Sequence, residues 1–72
     1  MITNLVEGSI WIDANKRTIV VWRVHWQNTM NVASFELLLI PSMEVVKRPA
    51  SVVEGLVKAG LIQYCRDLER KQ

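Results

Sequence analysis

The sequence holds a single cysteine, Cys65, and a single histidine, His25, among its 72 residues. A disulfide within the chain would need a second cysteine, and structural zinc is almost always held by about four Cys or His ligands. A disulfide within the chain and a structural zinc site, which commonly stabilise small domains, are therefore excluded. We expect neither a metal nor a cofactor. Because a core of this size supplies only ~3–5 kcal/mol of net stability, contact with a partner would add to it.

Long apolar runs are also missing. The longest extends from Leu37 to Pro41, whereas a transmembrane helix needs ~18 or more apolar residues. The N-terminal residues MITNLVEGSIW lack the basic segment and the apolar stretch of a secretory signal. Together with the unpaired cysteine, these absences lead us to expect a cytoplasmic protein with no membrane contact.

Signatures of catalysis and of nucleotide binding are absent as well. The three glycines, Gly8, Gly55 and Gly60, never approach the spacing of a phosphate-binding loop. A general base needs a nucleophile or a carboxylate within hydrogen-bond reach, and nothing in the sequence brings such a group, or Cys65, to His25. We therefore expect a protein that is not an enzyme, and no small-molecule ligand is implied.

Apolar residues are abundant, since 50% of the chain is hydrophobic. A disordered chain could not carry this content, and the apolar residues continue along the chain without a polar gap or a repeat. At this length only one small core can be enclosed. The sequence therefore predicts a single domain over residues 1–72.

The first half of the chain has the pattern of strands. Residues 9–12 are followed by Asp13, which suits the first position of a turn, and by Asn15, which tolerates the left-handed conformation. From Thr18 to Trp26 β-branched and aromatic residues dominate, as is typical of a strand. Alternation places four of these side chains on one face, which we interpret as core with the last one nearer the surface: Val20, Trp22, Val24 and Trp26.

Residues 32–40 are open to two interpretations, a strand or a helix. A strand would place residues 33, 35, 37 and 39, which are all apolar, on one face. A helix would align a narrower apolar stripe through residues 32, 35 and 39. The strand is favoured because Pro41 suits the second position of a turn and would end a helix. Residues 43–47 can then return as a fourth strand.

After Arg48 the pattern changes to that of a helix. Pro49 suits a first helical turn, and Ser51 with Glu54 has the spacing of a capping box. Gly60 is well placed to end this helix. Apolar and aromatic residues then recur at helical spacing and predict a second helix, with a short strand over 61–65 as the alternative: Leu61, Tyr64, Cys65 and Leu68, with an Asp67–Lys71 pair.

The predicted fold is thus α+β, an antiparallel sheet of three or four strands followed by one or two C-terminal helices packed on it. The domain is strand-rich over 5–47 and helical over 49–71. Its opening, with Gly8, an apolar and aromatic segment, Asp13, a turn and a valine-rich strand, is compatible with small curled sheets of the SH3-like kind. Such a fold does not by itself give a function.

We expect a small binding or regulatory protein that acts through a protein partner or through self-association. The marginal core, the three tryptophans and the high apolar content support this expectation. An unpaired strand edge along 32–40 or 43–47 would let two copies form a homo-oligomer. Tryptophan and arginine anchor interfaces most often, and the candidate partner contacts are Trp11, Arg23, His25 and Trp26.

A nucleic-acid-binding regulator is the alternative. The formal net charge of +2 has the sign that phosphate binding requires. Alternation separates the aromatic from the basic side chains of residues 18–26, so this strand alone does not form a stacking platform. Candidate phosphate contacts come from the predicted turn, from this strand and from the segment before the helix: Lys16, Arg17, Arg23, Lys47 and Arg48.

Overall fold

The computed structural model describes residues 4–68, which form one five-stranded sheet and one helix. The strands pair antiparallel in the order β4-β3-β2-β1-β5, so the last strand returns beside the first. The α+β class is confirmed, but the sheet has five strands, and the helix lies between β4 and β5 rather than at the C-terminal end. The elements in chain order are β1 (Ser9–Asp13), β2 (Thr18–Trp26), β3 (Val32–Ile40), β4 (Glu44–Pro49), α1 (Ala50–Lys58) and β5 (Ile62–Asp67).

The predicted turn between β1 and β2 is confirmed, with one correction. The Asp13 carboxylate accepts hydrogen bonds from the backbone N–H groups of Asn15 and Arg17, each at 2.9 Å, as a turn-initiating aspartate does. The residue in the left-handed conformation is Lys16, with φ of 66°, and not Asn15. Asn15 instead receives its stabilisation from the Asp13 side chain, and the positive φ falls one residue later.

Residues 32–40 form a strand, as the alternation predicts, and β4 follows after a turn at Pro41. β3 pairs with β2 on one side and with β4 on the other, so of the two edges predicted, along 32–40 or along 43–47, the structure has the second. The free edge on this side of the sheet belongs to β4. Lys47, Arg48 and Pro49 occupy it, and charge and proline are the features that discourage edge-to-edge pairing.

The helix α1 ends where the sequence predicts, but its N-terminus differs from the prediction. Pro49 is the N-cap and makes no side-chain cap, so Ser51 already lies inside the first turn and the predicted capping box does not form. At the C-terminus Gly60 takes φ of 74°. The Gly60 N–H donates to the Val57 carbonyl at 3.0 Å and the Leu61 N–H to the Leu56 carbonyl at 2.9 Å, the two bonds of a Schellman motif.

Two glycine substitutions should therefore change stability in opposite directions. Gly60→Ala places a Cβ on a left-handed residue, which costs about 1–2 kcal/mol for an L-residue. Gly55→Ala lies inside α1, where an added Cβ meets open space, and should stabilise by about 0.5–1 kcal/mol. Urea unfolding of the two variants measures both effects, and equal signs would contradict the assigned end of the helix.

The predicted second helix is wrong, and the alternative strand is confirmed. Residues 62–67 form β5, which pairs with β1 and leaves Ile62 in the core. A short isolated helix gains little in water, whereas the free edge of β1 offers a full row of hydrogen-bond partners. The helical spacing from Leu61 to Leu68 therefore does not correspond to a helix. Lys71 of the expected Asp67–Lys71 pair lies outside the described residues.

The main core cluster lies between α1 and one side of the sheet, which we call the helix face; the opposite side is the outer face, where Ile10 and Val20 are also buried. On the outer face one row crosses the sheet through Ile10, Val20 and Leu38, and a second row holds Arg23, Glu36 and Lys47. The buried residues that form the core cluster on the helix face are Leu5, Trp11, Ile19, Val21, Phe35, Leu37, Ala50, Val53 and Ile62.

Candidate functional site

Of the predicted partner contacts, Trp11 is not at the surface. It is 2% exposed, on the helix face among the core residues. Its indole Nε1 donates to the Ser9 Oγ at 3.0 Å, and its ring meets that of Tyr64 edge-on with centroids 5.5 Å apart. A partner cannot reach this side chain, so its inclusion in a contact patch was wrong. Burial of the indole with its N–H satisfied explains the position.

A β-bulge at Trp22 decides which side chains of β2 reach the core. Residues 21–23 of β2 face only residues 36–37 of β3, which leaves Trp22 as the extra residue. The extra residue shifts the alternation by one, so that Val24 lies on the helix face and Val20 on the outer face. The predicted apolar face from Val20 to Trp26 is therefore wrong, and Trp22 is 49% exposed rather than core.

A second irregularity places Trp26. His25 pairs with Ser34 and Trp26 with Val32, so Ala33 is the extra residue on β3. Val32 packs against the core from the helix face, and Trp26 is its partner there. Trp26 is 56% exposed, in agreement with the expectation that it lies nearer the surface.

Arg23 and His25 lie on the outer face, apart from both Trp11 and Trp26. In the register Arg23 and Lys47 flank Glu36 from the two neighbouring strands. The His25 Nε2 donates a hydrogen bond to the Glu36 carboxylate, and no lysine or arginine within residues 4–68 forms a salt bridge. Glu36 therefore compensates positive charge at the centre of this face.

The five candidate phosphate contacts do not form one patch. Lys16 and Arg17 lie in the turn between β1 and β2, at the far end of β2 from Arg23. Lys47 shares the outer face with Arg23, whereas Arg48 follows on the opposite side of β4 and donates to a backbone carbonyl at 2.8 Å. The structure brings only Arg23 and Lys47 together, with Glu36 between them.

A groove of about 540 Å³ lies beside Trp26, and we call it the Trp26 groove. Met30, in the turn after β2, is 77% exposed at its rim, close to the Trp26 ring. The groove is therefore apolar inside and bounded by two large apolar side chains in contact with water. Its apolar lining consists of Leu5, Val6, Val24, Trp26, Met30, Val32 and Phe35.

Three polar residues complete the Trp26 groove: Glu7, Asn31 and Glu54. Glu7 belongs to the segment before β1, and its Oε1 accepts the backbone N–H of Val24 at 3.2 Å. Glu54 is half-buried on α1. The lining contains two carboxylates and no lysine, arginine or histidine, so the groove is acidic although the whole chain carries +2.

The turn that presents Met30 is held by a side chain. The Asn28 Oδ1 accepts the backbone N–H of Met30 at 2.9 Å and that of Asn31 at 3.0 Å, and the Gln27 N–H closes the turn on the Asn31 carbonyl at 2.8 Å. Asparagine favours such turns because its amide oxygen mimics a backbone carbonyl. Met30 is thus fixed through its backbone while its flexible side chain is exposed to water.

Sequence reasoning identified Trp26 but missed the other groove residues. Leu5 and Glu7 precede β1, and Glu54 belongs to a helix distant in sequence, so only the folded chain brings them together. One signal was available. Met30 is an apolar residue in the otherwise polar turn Gln27–Asn31, where water-exposed methionine has no packing role.

Other reactive groups are dispersed. Cys65 is exposed on β5, and within residues 4–68 no group of three His, Cys, Asp or Glu side chains could hold a metal ion. Partial desolvation, followed by the influence of the Asp67 carboxylate, raises the pKa of the Tyr64 phenol above its usual value. The single helix in this part of the chain is too short to cross a membrane.

Comparison of the chain with protein-family models, with curated proteins and with solved structures yields no match.

Proposed function

We propose that the chain is a small binding protein, not an enzyme, and that it holds a segment of a protein partner in the Trp26 groove. The observation that carries the proposal is the exposure of Trp26 and Met30 in a groove whose mostly apolar lining includes the core residues Leu5 and Phe35. Covering apolar surface is worth ~25 cal/mol per Å², and buried tryptophans are the commonest interface anchors. A partner segment would bury the exposed apolar surface of Trp26 and Met30.

The form of the groove favours a chain segment over a flat protein face. Its volume accommodates a few side chains, and Trp26 and Met30 at its rim are exposed to water, so a segment can contact both from solvent. Enclosed pockets for small molecules bury most of the ligand, which this open rim does not do. Self-association through β4 has less support, because Lys47, Arg48 and Pro49 lie on that edge.

Nucleic-acid binding is a second candidate, favoured by one observation. The bulge leaves the Trp22 ring exposed next to Arg23, and both line a depression of about 400 Å³. A stacking ring beside a phosphate-neutralising charge is what a single strand requires. Glu7 lines the same depression and Glu36 pairs in register with Arg23, which lowers the positive potential there.

An SH3-like curl of the sheet is supported by the return of β5 to β1 and by the register shifts in β2 and β3, since bulges bend strands. A cytoplasmic location is supported by the single cysteine, because a reducing compartment leaves such a thiol unpaired.

The proposal is tested by selecting ligands from a random peptide library displayed on phage. The immobilised chain is the bait, and a Trp26→Ala/Met30→Ala variant removes peptides that bind elsewhere. Enrichment of related peptides that bind the chain but not the variant is the expected result. A library that yields no such peptides, together with binding of an oligonucleotide that weakens steeply with salt, would favour the second candidate instead.

A further inference from the structure

The Trp26 groove has two carboxylates at an otherwise apolar surface. Glu7 reaches it from the segment before β1, and Glu54 from α1. The hydrogen bond from the Val24 N–H occupies one acceptor position of Glu7, whereas an ionised carboxylate has about four, so most of its capacity remains. Within residues 4–68 neither carboxylate takes part in an ion pair.

The exposed ring of Trp26 adds to this preference. The face of an indole attracts a lysine or arginine side chain, with tryptophan the strongest of the aromatic residues in this interaction. Ring and carboxylates line the same groove, whose remaining side chains are apolar apart from Asn31. The groove therefore combines an apolar channel with groups that favour a cation.

We propose that the occupant of the Trp26 groove is a partner segment in which an apolar anchor is flanked by lysine or arginine. This inference rests on the proposed function and adds the chemistry of the partner. The anchor packs on Leu5 and Phe35 beneath the Trp26 ring, and the basic side chains lie toward Glu7 and Glu54. Charge complementarity of this kind sets partner choice more than affinity.

The net charge of the chain makes this preference distinctive. A chain of +2 repels basic peptides and attracts acidic ones in general. A preference for a basic peptide must therefore come from groups of the groove itself, its two carboxylates and the Trp26 ring, that outweigh the overall charge. The same reasoning predicts that the preference falls as salt screens exposed charges.

Three labelled peptides test the inference: a lysine–leucine–leucine–lysine peptide with blocked ends, and matched peptides with glutamine or glutamate in place of lysine. Their affinities for the chain are measured by fluorescence anisotropy at low salt. The lysine peptide should bind about threefold to tenfold more tightly than the glutamine peptide, and the glutamate peptide should bind most weakly. In a Glu7→Gln/Glu54→Gln variant this order should disappear.

Glu44→Gln is the matched control, because Glu44 is an exposed carboxylate of β4 outside the Trp26 groove and its loss changes the net charge in the same direction. It should keep the preference for lysine. Equal binding of the lysine and glutamine peptides would overturn the inference and leave the proposed function standing. Failure of all three to bind, with ligands absent from the phage selection, would overturn both. An increase in solution mass without any peptide would identify a second copy as the occupant and also overturn the inference.

Discussion

Replacing Trp11 with alanine is expected to unfold most of the protein. Loss of a buried tryptophan costs about 3–5 kcal/mol, which equals the whole net stability of a domain of this size. The variant also leaves the Ser9 hydroxyl without the indole donor and removes the edge-on contact to Tyr64, which links β1 to β5. Urea unfolding followed by circular dichroism measures the loss, with an excluded osmolyte added so that the variant retains a measurable transition.

The other two tryptophans provide matched controls. Trp22→Ala and Trp26→Ala remove rings that are half-exposed, and surface substitutions usually change stability by no more than about 0.5 kcal/mol. Both variants should remain folded at the temperature at which the Trp11 variant is mostly unfolded. A larger loss at Trp22 than at Trp11 would contradict the bulge and restore the alternation predicted from the sequence.

Loss of Trp26 is expected to raise the Kd of a groove ligand by about 30-fold, equivalent to about 2 kcal/mol. The ring forms one wall of the groove and is the largest apolar side chain that a partner would cover there. Met30→Ala should have a smaller effect in the same direction, because methionine adapts to its ligand and gives up more rotamer freedom. Titration of the peptides selected on phage measures both.

Met43→Ala is the control for Met30→Ala. Met43 is also exposed, in the turn between β3 and β4, and lies outside the groove lining. Its replacement should leave the Kd unchanged. Equal losses for the two methionine variants would mean that the peptides bind exposed apolar surface without selecting the groove.

Strand positions could be predicted from the sequence where residue type and alternation agree. The bounds of β2, the strand over 32–40 and the turn at Asp13 all follow from local preferences, because β-branched residues pack well on a pleated surface and aspartate initiates turns. The end of α1 follows as well, since only glycine takes the left-handed conformation of Gly60 at little cost.

The assignment of faces could not be predicted in the same way. A bulge is a property of two paired strands, and nothing in the residues of β2 alone reveals that Trp22 has no partner on β3. Because of that single residue, the alternation of inward and outward side chains after it is reversed relative to the alternation before it. Likewise β5 is a strand because it pairs with the free edge of β1. The helical spacing from Leu61 onward gives no indication of this pairing.

The candidate site illustrates the same limit. Trp26 was identified from its residue type and its position at the end of a strand, whereas Glu7 and Glu54 become neighbours of the groove only after the helix packs on the sheet. Arg23 and His25 were named with Trp26 as candidate contacts because tryptophan and arginine often anchor interfaces. Alternation separates Arg23 and His25 from the groove and places them by Glu36 on the outer face.

The most direct test is a nuclear magnetic resonance titration in which the indole nitrogens of Trp11, Trp22 and Trp26 are labelled with ¹⁵N. The three indole signals are assigned with single phenylalanine substitutions, and the lysine–leucine–leucine–lysine peptide is then added. The Trp26 signal should shift until it saturates, while the signals of Trp11 and Trp22 remain in place. A Trp26 signal that does not move, with a shift confined to Trp22 or with no shift at all, would contradict binding in the Trp26 groove.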